Sequence, residues 1–166
     1  MAVALIATPK SSTANAYADV AEGDAYFATR LNATAWTSET SPDKKAQALI
    51  MATARLEEER WDGWRTTAEQ ALKHPRAYLT DDDGTVYDCD VVIPRVKAMC
   101  FELALALLQA PASLDQNPLA NYDQVRVGPL DVKFRQPQVA GDLPAQVERL
   151  GRGIMFGSGG PELLRG

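Results

Sequence analysis

The sequence predicts a mainly α protein: a small bundle of three to four helices with a β-hairpin and an extended C-terminal arm. Three observations carry this. Apolar residues recur at helical spacing in three segments before residue 110. Beyond Pro111 the pattern changes to period two. Six of the ten prolines and eight of the eleven glycines lie beyond residue 110, which leaves the first two-thirds free to be helical. The chain then divides into an N-terminal arm or strand over 1–16, a helical body over 17–110, and a hairpin, short helix and C-terminal arm over 111–166.

The first helix is signalled by Asp19 and Glu22, a capping-box spacing. Ala21, Ala25 and Ala28, with Tyr26 and Phe27, form its apolar face, and it is expected to end near Leu31. In the second, Ser41 is the N-cap, Pro42 the first helical residue, and Asp43 complements the dipole. Ala46, Leu49, Ile50, Thr53 and Leu56 follow on one face, before the turn at Asp62-Gly63. Residues 61–92 are less regular, with a short helical turn expected over Thr67 to Leu72 and an extended stretch over Thr85-Val86-Tyr87. The residue before a proline avoids helical geometry, so His74-Pro75 is a break. Ile93-Pro94 opens the third helix. It is apolar almost all round from Val96 to Leu108, as a central core helix would be. Val125 to Phe134 alternates about Gly128-Pro129 as a hairpin does. Pro144 opens a last short helix through Val147 and Leu150.

Composition narrows the function. The chain has 17 cations, 22 acids, one His and two Cys, and its net charge of -5 disfavours a phosphate-gripping basic surface. Two cysteines cannot build a disulfide scaffold, and Cys and His are too few for a zinc centre. No apolar run reaches the ~18 residues of a membrane span. The Met1–Ala7 stretch lacks a basic region and a long apolar run, so a cytoplasm with reduced thiols is expected.

Candidate chemistry is sparse. Asp81, Asp82, Asp83, Asp88 and Asp90 lack the ligand alternation of a calcium loop and read as a solvated turn. His74 has no nearby nucleophile signature and reads as structural. Cys100 falls on the apolar helix face, and Glu57, Glu58 and Glu59 point in different directions at a helix end. No catalytic, metal or cofactor site is expected, and no enzyme. Trp61, Trp64 and Arg65 are the single aromatic–cation group suited to stacking on single-stranded DNA, although two Trp rings filling an inter-helix gap is the plainer reading.

The C-terminal third carries too little regular structure to stand alone. Ile154, Met155, Phe156, Leu163 and Leu164 need an apolar home, either the chain's own core or a neighbouring protein. From Lys133 onward the charge is +2, against -7 for the remainder, which suits docking between subunits or onto an acidic partner.

The run from Ala14 to Phe27 (ANAYADVAEGDAYF), the run Lys45 to Leu56 (KAQALIMATARL) and the segment Gln70-Ala71-Leu72-Lys73-His74-Pro75-Arg76 occur in that order, followed by an aspartate-glycine turn and Ile93-Pro94. Together they resemble the head–tail connector, or adaptor, family of tailed bacteriophages, whose members are often labelled DnaT-like single-stranded DNA-binding proteins. The similarity spans about residues 14 to 110, and His74 stands where the family usually has an aromatic. It implies a structural virion protein at the head–tail interface, made in the host cytoplasm. Such a protein forms a ring, commonly of twelve copies, that binds the portal, meets a neck, tail or head-closure protein, and lets genomic double-stranded DNA pass without sequence-specific binding. On that reading the portal-contacting residues are Ile154, Met155, Phe156, Leu163, Leu164 and Arg165. The alternative is a DnaT-like replication protein that stacks single-stranded DNA on Trp61 and Trp64 beside Arg65.

Overall fold

The computed structural model describes residues 3–81, 83–110, 124–127, 130–133 and 143–155. In chain order it contains α1 (Val20–Phe27), α2 (Thr34–Thr37), α3 (Pro42–Glu57), β1 (Trp64–Arg65), β2 (Arg76–Ala77), α4 (Pro94–Gln109), β3 (Gln124–Val127), β4 (Leu130–Lys133) and α5 (Ala145–Gly151). The described residues are thus mainly helical, with five helices against the three or four expected, and two separate antiparallel strand pairs.

Local chemistry explains the helix starts. The Asp19 carboxylate accepts from the Glu22 amide at 2.8 Å, and the Glu22 carboxylate accepts from the Asp19 amide at 3.1 Å, closing the capping box. α1 stops at Phe27, short of the expected Leu31. The next turn, α2, is a separate piece that carries Trp36 into the core at 1% exposure. Trp36 lies against Gly23, where any side chain would meet the indole, and its Nε1 donates to Asp24 at 2.8 Å. In α3 the Ser41 hydroxyl accepts from the Lys44 amide, and Pro42 occupies the first turn, where its missing N–H has no partner to lose.

α4 is the central helix. It packs against α3 and α5, and also against α1 and α2. Val96, Met99, Cys100, Leu103 and Ala104 are fully buried, as are Leu49, Ala52 and Leu56 of α3. Each large aliphatic side chain in this cluster stabilises the fold by roughly 1.5–3 kcal/mol. Cys100 sits in it as a small apolar residue. Its Sγ lies 3.4 Å from the Thr53 hydroxyl, and burial pushes the thiol up to about 12.

The N-terminal segment is an arm with no strand among residues 3–16. Asn15 pins it, accepting from the Ile6 amide at 2.7 Å and donating to the Ala4 carbonyl at 2.7 Å. β3 and β4 pair antiparallel, as the expected hairpin requires, with Val125 opposite Val132 and Val127 opposite Leu130. Its expected Gly128-Pro129 turn lies outside the described residues, as do Phe156, Leu163, Leu164 and Arg165. No described helix is long and apolar enough to cross a membrane.

Residues 143–155 belong to the core. Leu143, Val147, Ile154 and Met155 are 0–7% exposed and join the same cluster as α3 and α4. The Asp62 amide donates to the Ile154 carbonyl at 3.1 Å, and Trp61 forms an antiparallel bridge with Met155. Ile154 and Met155, named from the sequence as portal contacts, are thus covered by the subunit's own core. An apolar stretch shows in sequence that it must be buried, but not against what, and here the subunit buries it itself.

Candidate functional site

The region between α3 and α4 holds the sequence's most distinctive motif, and its geometry shows what each polar residue does. The expected helical turn over Thr67 to Leu72 does not form. Gln70, 3% exposed, accepts from the Thr67 amide at 3.0 Å and donates to the carbonyls of Leu72 at 2.8 Å and Pro75 at 3.0 Å. Its amide thereby takes the backbone groups that a helix would have paired, and folds the segment into a loop. Lys73 donates through Nζ to the Glu57 and Glu59 carbonyls, at 2.8 Å for the latter, which caps the C-terminal end of α3.

Arg76 is the clamp of this loop. Its Nε donates to the Asp62 carbonyl at 2.6 Å, and its terminal nitrogens reach the carbonyls of Gly63 at 2.5 Å, Trp61 at 3.3 Å and Lys73 at 3.3 Å. One planar guanidinium so ties two chain segments together, which a lysine ammonium cannot do. The clamp aligns β1 with β2, with Trp64 opposite Ala77 and Arg65 opposite Arg76. Gly63 is required at the entry to this ribbon. Its φ is +70°, and a Cβ there would run into the Ala77 carbonyl oxygen.

The three residues expected to stack on DNA do not act as a group. Trp61 is buried at 7% exposure, its Nε1 donates to the Leu56 carbonyl at 3.1 Å, and its ring meets His74 edge-on at 4.5 Å between centroids. It is a core residue, which removes it from the stacking set. Trp64 is 73% exposed on the ribbon beside exposed Arg65, and Tyr78, 77% exposed, follows β2. Nothing in the sequence marks Tyr78 as a surface aromatic. It is a lone tyrosine after an irregular loop, and only its φ of +63° and its exposure single it out.

His74 is 2% exposed and lies between Trp61 and the ring of Tyr17, which is 5.6 Å away and also edge-on. Neither ring nitrogen has a hydrogen-bond partner among the described residues. Burial, reinforced by the Arg76 charge, holds the imidazole down at about 3, so it is neutral at pH 7. The Tyr17 hydroxyl donates to Glu57, and burial beside that carboxylate raises its pKa far above the tyrosine range.

The acidic turn is self-contained. Asp81 accepts from the amides of Asp83 and Thr85 at 3.0 and 2.7 Å, which is turn chemistry. Asp88, Cys89 and Asp90 bring ligand atoms within 4.8 Å of one another, but Asp90 is already paired with Lys10. Asp82 lies outside the described residues.

Cations elsewhere are also committed within the subunit. Lys10, Arg30, Lys44, Lys45, Arg55 and Lys97 pair with Asp90, Glu102, Glu39, Asp24, Glu58 with Glu59, and Glu22 respectively. With Lys73 and Arg76, at least eight of the eleven cations in residues 3–110 are held by carboxylates or carbonyls, while that stretch carries sixteen acids.

Among the described residues, a capped helical bundle, a motif loop clamped by Gln70 and Arg76, and an exposed aromatic ribbon define a small, mainly α-helical protein. Residues 3–162 match the family described as "Putative DnaT-like ssDNA binding protein", and the chain belongs to that family. No curated protein and no solved structure matches the chain.

Proposed function

We propose that the protein is a structural subunit of a tailed-phage virion, a head–tail connector whose ring, commonly of twelve copies, sits on the portal and extends the DNA channel toward the neck and tail. The observation that carries this reading is the commitment of the cations. A body whose Lys and Arg side chains over residues 3–110 are mostly engaged by the subunit's own carboxylates and carbonyls has few left to trap phosphates, and an acid-rich wall lets duplex DNA pass. The order of the three motifs resembling the connector family supports the same reading. With Ile154 and Met155 buried, portal attachment falls to Phe156, Leu163, Leu164 and Arg165. The full chain should then co-purify with the portal, while a chain ending at Met155 should fold but fail to attach.

The family description favours a second reading, a single-stranded DNA-binding protein of the DnaT type, and Trp64, Tyr78 and Arg65 are the exposed residues that could serve it. Stacking is worth roughly 1–3 kcal/mol per base and requires neighbouring cations to hold the backbone. Titrating the full chain with an oligothymidylate at low salt separates the two. The connector reading predicts no change in tryptophan emission. Quenching that is lost in Trp64→Ala would establish the DNA-binding reading instead.

A further inference from the structure

Trp61 has two neighbours on different parts of the chain. Its ring covers His74, and its backbone bridges Met155 at the end of the C-terminal segment 143–155. The imidazole is sealed by this arrangement: Tyr17 edges it at 5.6 Å, Trp61 at 4.5 Å, and no described group accepts or donates at Nδ1 or Nε2. Movement of either ring would open the imidazole to a proton. Tyr17 is fixed at both ends, by its amide on Thr53 at 3.1 Å and its hydroxyl on Glu57. Trp61 is held by its Nε1 on the Leu56 carbonyl and by the 143–155 segment through the Asp62–Ile154 hydrogen bond and the Met155 bridge.

We propose that His74 and the segment 143–155 form an acid-sensitive clasp: uptake of one proton by His74 is coupled to release of that segment from Trp61 and Asp62. The charged and titratable groups around the imidazole agree with this. Arg76, two residues on, repels an imidazolium, and it cannot withdraw because it is bonded to four carbonyls. The Glu57 carboxylate, which meets Tyr17, is already engaged by the Tyr17 hydroxyl and by the Lys73 amide at 2.8 Å. The Lys73 ammonium is turned to the carbonyls of Glu57 and Glu59. Asp62 faces the clasp with its amide, and Cys100 lies beyond Thr53. Protonated His74 therefore finds a positive neighbour and no acceptor while the clasp is shut, and water once it is open.

The sign of the effect follows from the depressed folded-state value. Closure is favoured fully above the unfolded pKa of 6.5 and loses ground as pH falls from there toward about 3. Amide exchange of the full chain tests it, read as protection factors so that the intrinsic pH dependence of exchange is removed. The Asp62 amide, which reports the clasp, should be less protected than amides in the middle of α4. Its opening constant should rise about tenfold per pH unit between pH 6 and 4, one proton per opening. His74→Phe should abolish that slope, because every titrating carboxylate is common to both chains and only the imidazole is gone. His74→Gln serves the same comparison if phenylalanine is not accommodated. Asp62 exchanging together with the α4 interior would overturn the proposal, as would an unchanged slope in both variants.

Discussion

Arg76→Ala is expected to lower the stability of the chain by about 3 kcal/mol, because it leaves carbonyls of Trp61, Asp62, Gly63 and Lys73 without their donor. For a chain of this length that corresponds to a fall in Tm of roughly 6–12 °C. Arg76→Lys should recover little of it, since a single ammonium cannot reach both segments in the plane that the guanidinium spans. Tryptophan emission should also shift to the red as the Trp61 turn opens to water. Thermal melts of the three chains followed by circular dichroism decide the matter. A loss below about 0.5 kcal/mol, within the range of ordinary surface substitutions, would mean that the loop holds itself without the clamp.

Ile154→Ala is the second. Ile154 is fully buried, and truncating a buried Ile costs about 2–5 kcal/mol, the transfer term plus the cavity left behind. A chain ending at Gly151 should lose more, because it gives up Met155 as well and exposes the faces of Trp61 and Gly151 that these residues cover. A chain ending at Met155 should melt like the full one. Read from sequence alone, a cut after Gly151 leaves the body intact and removes only an arm. The structure reverses this, and denaturant unfolding of the two truncations shows which holds. Equal midpoints would return Ile154 and Met155 to the list of partner contacts.

These residues show where sequence reasoning reaches and where it stops. The Asp19–Glu22 box, the Ser41 cap, Pro94 at the start of α4 and Cys100 on its apolar face were all legible, because each depends on neighbours three or four positions away. The β1–β2 ribbon was not legible. Its strands are two residues each and are brought together by side chains of Gln70 and Arg76 acting on backbone groups, which leaves no periodic trace. Trp61 and Trp64 look alike in sequence, yet one is core and the other surface, because a single turn at Gly63 separates their environments. For His74 the proline after it marked a position that avoids helical geometry. Its burial between two rings depends on Tyr17, far away in the chain. Within the Gln70–Arg76 segment, Gln70, Lys73 and Arg76 thus hold the loop and the end of α3 together through backbone carbonyls, which sequence spacing alone does not show.

Electron microscopy of the purified full chain, alone and mixed with the portal of the same phage, tests the proposed function most directly. A connector should give a closed ring seated coaxially on the portal, extending its channel. Particles that remain monomeric at every mixing ratio, and a portal that gains no density, would contradict it.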